Sequence, residues 1–180
     1  MSLDGKKHGL SIINILQQNL IHNSENLQKV IEILNHALAD EALLCMKTRN
    51  AKWNLSGPGF IELSSLFELH LTQINDFSDE IAKQIHMLHG QQIMCFSEYI
   101  ANSRLSENTE IIPNVFHLLI DHESLIRFFL EDCRYCTELY EDTSTSEMLL
   151  RIIRQHEKIT WILSSIIQKE PIKNVYPAIC

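Results

Sequence analysis

The sequence has 180 residues, of which 45% are apolar and 21% are charged, and its formal net charge is −8 with nine neutral histidines. This composition suits one globular domain with a sizeable core and excludes an intrinsically disordered chain. An acidic surface also repels nucleic-acid phosphates, and the only basic group near the start is Lys6, Lys7 and His8. We therefore expect no direct binding to DNA.

The sequence carries no sign of export or membrane insertion. No apolar run approaches the roughly 20 residues that span a bilayer, and the first residues lack the apolar stretch and cleavage site of a signal peptide. The cysteines are odd in number and widely spaced, which predicts reduced thiols in a cytoplasmic protein. They are Cys45, Cys95, Cys133, Cys136 and Cys180.

Residues 1–22 are predicted to form an N-terminal arm, within which residues 10–20 can fold as a short helix. A first long helix then starts at Asn23 or Ser24, either of which can cap it, and runs to about Lys52. Its apolar residues recur at helical spacing, as in Leu27, Val30, Ile31, Leu34 and Leu38.

After Gly57-Pro58-Gly59 breaks the chain, a second helix is predicted from about Phe60 to Leu88, where His89-Gly90 stops it. The next connection, residues 91–111, is longer than the others and has room for a short crossing helix over residues 95–101. The sequence thus predicts two helices, a long crossover with an extra helix, and then two further helices.

Pro113 suits the first turn of the third long helix, and Ser144 to Glu147 has the spacing of a capping box for the fourth. Glu170-Pro171 ends the fourth helix and leaves residues 171–180 as a C-terminal tail. Periodicity therefore predicts an all-α four-helix bundle domain over residues 23–170.

One motif between the first two helices resembles a known family. Residues 47–60 read K-T-R-N-A-K-W-N-L-S-G-P-G-F, which is similar to the K-T-x-N-x-H-W-N and G-P-x-F of the Dps family (DNA-binding protein from starved cells). The second helix carries Leu63-Ser64 and residues 79–83, D-E-I-A-K, where the family has L-H and D-E-x-A-E. Residues 156–163, H-E-K-I-T-W-I-L, are similar to its H-E-K-x-x-W-M-L. The likeness covers about residues 24–169.

This resemblance implies a ferritin-like four-helix bundle with one long crossover, assembled from two-fold dimers into a hollow dodecamer. Such shells take up iron and limit oxidative damage, and many also bind DNA through a basic tail. Their ferroxidase site is shared between subunits: one gives the His before Trp and a second His, and the other gives an Asp/Glu pair and a further acid. Iron is the implied metal, and the fold does not need it.

The resemblance also implies that this site has been dismantled. Carried over position by position, the two histidines are Lys52 and Ser64, and the closing Glu is Lys83, while Glu68 and Asp79 keep carboxylates. A protonated lysine cannot ligate iron and repels an incoming cation. Glu68 and Asp79 are thus the residual metal candidates, no residue is assigned as catalytic, and ferroxidase activity is expected to be weak or lost.

The four positions on the second helix are separated by 4, 11 and 4 residues and so share one helix face. We interpret Lys52 and Lys83 as pairing with Glu68 and Asp79 across the two-fold interface, where they replace the iron with a neutral network. The alternative interpretation is that these are unrelated solvated charges.

Other chemistry-bearing residues have ordinary structural explanations. Asp142 and Glu147 could line three-fold pores for cations, or they could simply cap the fourth helix, with Arg151 weakening any attraction. His86 and His89 suit the end of a helix. His122 and His156 are predicted to be hydrogen-bonded core residues, Cys133 and Cys136 buried thiols, and Trp53 and Trp161 core residues.

Three functions remain open at this point. The first is an iron-sequestering shell of the stress response with little ferroxidase activity. The second is a non-catalytic structural paralogue that uses the same scaffold for assembly or for binding a partner. DNA protection is the third, and the acidic balance argues against it.

Overall fold

The computed structural model describes residues 4–107 and 110–169, and the side chains of residues 24–107 and 110–167. The described residues form five α-helices and no strand, which confirms the all-α prediction. The helices are α1 (Asp4–Trp53), α2 (Phe60–Met87), α3 (Phe96–Asn102), α4 (Val115–Glu138) and α5 (Thr143–Lys169). The short helix predicted in the crossover is α3, and the predicted C-terminal tail lies outside the described residues.

The bundle consists of two antiparallel helix pairs that share one core. α1 packs mainly on α2, α4 packs mainly on α5, and α3 lies against α1. The inward side chains are fully buried and include Leu34, Phe67, Ile74, Leu125 and Phe129. Burying each such side chain contributes about 1.5–3 kcal/mol. None of the helices in the described ranges is long and apolar enough to cross a membrane.

The predicted start of the first helix is wrong. α1 continues from Asp4 through Asn23 and Ser24 without interruption, so neither residue caps it and the predicted short helix is part of α1. Asn and Ser have lower helix propensity than Ala, yet only Pro, or to a lesser degree Gly, breaks a helix decisively. No Pro or Gly lies between Leu10 and Trp53, which leaves nothing to end the helix there.

The predicted end of α2 is confirmed, with one difference in detail. His89 N–H donates to His86 O (3.0 Å) and Gly90 N–H donates to Ile85 O (2.9 Å), which is the bonding of a Schellman motif. The left-handed residue is His89, with φ 56°. Gly90 is instead required by space, because a Cβ there would lie 2.8 Å from the Ile31 side chain.

Both later helix starts differ from prediction. Asn114 caps α4 by accepting from His117 N–H (3.1 Å), so Pro113 lies before the helix and not in its first turn. Asp142 accepts from Thr145 N–H (3.0 Å) and Thr145 Oγ1–H (2.7 Å). α5 therefore starts at Thr143, and the capping box predicted over Ser144 to Glu147 is wrong: a carboxylate two residues earlier already serves the first turn.

A buried ion triad anchors the end of the crossover. Arg104 Nε donates to Asp40 Oδ2 (2.8 Å), and its two terminal nitrogens donate to the two oxygens of Asp132 (both 2.9 Å). Both aspartates are buried, and the guanidinium also lies 4.8 Å from the centre of the Phe128 ring. One side chain of the crossover thus ties α1 to α4.

Removing that cation should be costly. We expect Arg104→Ala to lower the free energy of unfolding by about 3–5 kcal/mol, because Asp40 and Asp132 would remain buried without a counter-charge. Urea denaturation followed by circular dichroism measures the change. The exposed Arg154→Ala is the control and should stay within about 0.5 kcal/mol of the parent; an equal loss in both variants would contradict the role of the triad.

Candidate functional site

α2 carries two chemically different faces. Its inner face holds the buried residues Phe67, His70, Leu71, Ile74 and Phe77, whereas Ser64, Glu68, Asp79 and Lys83 lie on the other side and are half-buried or exposed. Glu68 and His70 point in opposite directions because two residues turn a helix by about 200°. The molecule therefore offers two candidate sites, one on the outside of the α1–α2 pair and one inside the bundle.

The outer site lies where the end of α1 packs beside the second and third turns of α2. Lys52, in the last turn of α1, donates from Nζ to Glu68 Oε2. Ser64 lies one turn before Glu68 on the same face. Three of the five predicted site positions are thus close together in a single chain, and the pair that the sequence interpretation placed across a subunit interface forms within the chain.

Asp79 and Lys83 are not part of that cluster. They lie 11 and 15 residues after Glu68 on the same helix, which corresponds to about 16 Å and 22 Å along its axis. Both are exposed and one turn apart. One chain therefore divides the five positions into two separate groups.

The Lys52–Glu68 pair has the chemistry of a neutralised acid. An ammonium group is strongly hydrated and donates up to three hydrogen bonds, so it satisfies the carboxylate that a metal cation would otherwise bind. The Glu68 side chain is 62% exposed, and such a pair contributes only about 0–1 kcal/mol to stability. The pair matters because the positive charge of Lys52 balances the negative charge of Glu68, which weakens the attraction of this site for a cation.

The inner site is a line of polar side chains along the bundle core. His156 Nε2 of α5 donates to Glu41 Oε1 of α1 (2.8 Å), and His156 Nδ1 lies 2.8 Å from His122 Nδ1 of α4. His70 of α2 stands edge-on to His122, with ring centres 6.2 Å apart. All four residues are buried, so each long helix contributes one.

Several polar atoms in this line of side chains lack a hydrogen-bond partner. Neither nitrogen of His70 has a hydrogen-bond partner among the described residues, and the same holds for His122 Nε2 and Glu41 Oε2. Burial lowers the pKa of His70 to about 4. Burial, reinforced by His156 and His70, also holds the pKa of His122 well below its ordinary value. Both imidazoles are therefore neutral in the folded protein at physiological pH.

The inner site does not form a ready coordination sphere. Among the side chains that the structure describes, no three His, Cys, Asp or Glu are arranged to hold a metal ion. The reason is visible in the geometry, because the two nitrogens of His156 are both engaged, one by Glu41 and one by His122. Neither nitrogen of His156 is therefore free to bind a metal ion.

The side chains predicted to lie in the core divide into buried and exposed ones. His122 and His156 are hydrogen-bonded core residues, and Cys133 and Cys136 are buried free thiols, as predicted. The placement of Trp53 and Trp161 in the core is wrong, since they are 67% and 71% exposed. Each lies two residues after a buried one, Ala51 and Ile159 respectively, and two residues turn a helix by about 200°, so its ring points outward.

The two acids near the start of α5 have different surroundings. Asp142 uses both oxygens to cap the helix, whereas Glu147 is exposed. Arg151 pairs with Glu80 of α2. The capping explanation thus accounts for Asp142, and lining of a pore stays a prediction for both acids.

Sequence reasoning missed Glu41 and His70. Glu41 follows Leu34 and Leu38 and precedes Cys45 and Thr48 at helical spacing, so a carboxylate falls within an apolar stripe. His70 likewise interrupts the inner face of α2. An ionisable residue inside an apolar stripe was the available signal, because such a group is rarely buried unless it is paired.

Comparisons with known proteins agree with the architecture. Residues 31–172 match a family model described as a ferritin-like domain. An uncharacterized low temperature-induced protein of Nostoc sp. is 32% identical over 159 residues, covering 86% of this chain and 89% of that protein. DNA protection during starvation protein 2 of Bacillus anthracis is 28% identical, covering 79% and 99% of the two chains. The crystal structure of a Dps protein from Vibrio cholerae superposes with a TM-score of 0.74 at 28% identity, covering 79% and 91%.

The buried histidines should make the fold sensitive to mild acid. The folded pKa values of His70 and His122 lie below the unfolded value of about 6.5, so the unfolded chain binds more protons once the pH falls through 6.5. We expect full stability above pH 7 and a progressive loss between about pH 6.5 and 4, measured by urea denaturation at a series of pH values.

Two variants test the origin of that loss. His70→Leu should flatten the pH dependence, because it removes one buried group that the unfolded state protonates. His86→Gln changes an exposed histidine and should leave the profile as in the parent. Constant stability from pH 7.5 to 5 would contradict this account.

Proposed function

The chain belongs to the Dps family of the ferritin-like superfamily, and from this premise we propose that it forms a cytoplasmic shell that sequesters iron during stress but oxidises it weakly or not at all. Iron is the cargo of such a shell. Dodecameric assembly from two-fold dimers is part of the proposal, as the family resemblance implies. The 32% identical relative from Nostoc, named as low temperature-induced, is consistent with a stress role.

The observation that carries the proposal is the Lys52–Glu68 ion pair. Iron oxidation needs histidine and carboxylate ligands with open coordination positions. Here an ammonium group already neutralises one of the two remaining acids, and Ser64 offers only a weak hydroxyl donor. The residues at these positions therefore do not fit an iron ion, and no oxidation step is assigned to them.

Asp79 and Lys83 supply the second half of the proposed arrangement. They form an exposed pair of opposite charges on the same face of α2 as Glu68. In a two-fold dimer, these two residues of one copy would face the Lys52–Glu68 pair of the other. Two positive and two negative groups would then balance, and the contact would hold the dimer without metal.

A non-catalytic structural paralogue is the alternative, in which the same neutral contact serves assembly alone. Direct DNA binding is not proposed, because the net charge is −8 and an acidic surface repels nucleic-acid phosphates. The exposed Glu147, and to a lesser extent Asp142, would be the acids that admit cations if the shell stores iron.

Restoring the ligands should restore activity. The parent protein is expected to oxidise ferrous iron with hydrogen peroxide at the rate of protein-free buffer. Lys52→His, Ser64→His and Lys83→Glu combined should raise that rate at least about tenfold, since they return the donor types that iron requires. Absorbance of the ferric product measures the rate, and iron per assembled particle measures retention.

A matched control carries Lys158→His and Lys29→Glu, which make the same change in charge away from both groups. It should behave like the parent. Rapid oxidation by the parent itself would overturn the proposal, and so would anomalous scattering from iron bound between Lys52 and Glu68 in a soaked crystal. Iron retained without rapid oxidation supports the iron shell, whereas an intact shell without iron supports the structural paralogue.

A further inference from the structure

A partly apolar groove lies between α1 and α4 at one end of the bundle. We call it the α1–α4 groove; its volume is about 540 Å³, and its walls include Asn50, Asn54, Ile111, Ile112 and Ile120. The three isoleucines are 47%, 59% and 42% exposed. Exposed isoleucines gathered along one concave surface are costly to hydrate and indicate that something covers them.

The base of the groove suits an apolar occupant. Lys47 Nζ lies 2.7 Å from the carboxylate of Asp121 and also donates to Ser106 O (2.9 Å). Both charged side chains are already largely shielded, with 14% and 9% of their surface exposed. Covering this pair would therefore remove little remaining hydration and would leave its mutual contacts intact.

The end of α5 lies at the same end of the bundle as the groove. α4 and α5 run antiparallel, because His122 contacts His156 and Cys133 contacts Ser146. Lys169 is 13 residues past His156, or about 20 Å, and Val115 is 7 residues before His122, or about 10 Å in the same direction. The chain therefore leaves α5 about 10 Å beyond the first turn of α4.

The segment that follows α5 is mostly apolar, as a segment that fills the groove would be. Residues 170–180 read E-P-I-K-N-V-Y-P-A-I-C, in which only Glu170, Lys173 and Asn174 are polar. Two of these residues are prolines, which disfavour a helix interior, and a fully extended chain of eleven residues would reach up to about 36 Å. That reach is enough to pass the start of α4 and enter the groove.

We propose that residues 170–180 dock in the α1–α4 groove of their own chain and cover Ile111, Ile112 and Ile120. The segment then buries its own apolar residues together with those of the groove. A cavity of this size takes a few side chains, which fits an extended segment and not a folded partner. The proposal is independent of iron chemistry.

Disulfide trapping with the natural thiol of Cys180 tests the proposal. The variant combines Cys95→Ser, which removes an exposed thiol, with Ile111→Cys, which places one in the groove. The matched control combines Cys95→Ser with Ile61→Cys. Ile61 is 73% exposed in the first turn of α2, and it does not line the groove.

Under mild oxidation the groove variant should form its intrachain disulfide at least about tenfold faster than the control, as read by non-reducing gel and peptide mass mapping. Adding Ile120→Lys should slow that reaction, because it places a charge where the segment packs. Equal rates in the two variants would overturn the proposal. A disulfide that joins two chains would also overturn it, since a second copy would then fill the groove. Circular dichroism confirms that each variant is folded.

Discussion

The Arg104 guanidinium is the constraint on which the arrangement of the bundle depends. The crossover connects the end of α2 to the start of α4. Because this connection is long, it does not by itself determine where α4 packs against α1. Arg104 removes the freedom by binding Asp40 on α1 and Asp132 on α4 at once. The fork geometry of a guanidinium suits this task, because it can serve two carboxylates in defined directions.

That placement has two consequences for polar groups. α4 and α5 close over the inner face of α2, which confines Glu41, His70, His122 and His156 to the buried core. The outer face of α2 stays open to solvent, and there Lys52 reaches Glu68. The same helix thus separates neutral imidazoles on one side from balanced surface charges on the other. Both faces limit net charge: burial at low dielectric keeps the imidazoles neutral, and on the outer face the charge of Lys52 is balanced by that of Glu68.

Helical periodicity predicted the number and order of the bundle helices, and the approximate length of every one but α1, because long apolar stripes outweigh local detail. The first residues of helices were predicted less well: Asn23 and Ser24 are capable caps, yet nothing breaks α1 there, and Asp142 acts where Ser144 was expected. At the candidate site, the identity of Lys52, Ser64 and Lys83 could be read from the sequence, and the pairing of Lys52 with Glu68 was anticipated but as a contact between chains. The line from Glu41 to His70 could not be read, since it depends on how four helices rotate about their axes.

The outward position of both tryptophans gives the protein a built-in optical property. Trp53 and Trp161 stand largely in water within the single chain, so unfolding changes their surroundings little. A neighbouring chain laid over either indole would instead transfer it to an apolar environment and shift its emission to shorter wavelength. Intrinsic fluorescence of this protein therefore reports association between chains, whereas the folding of one chain has to be followed through its helical backbone.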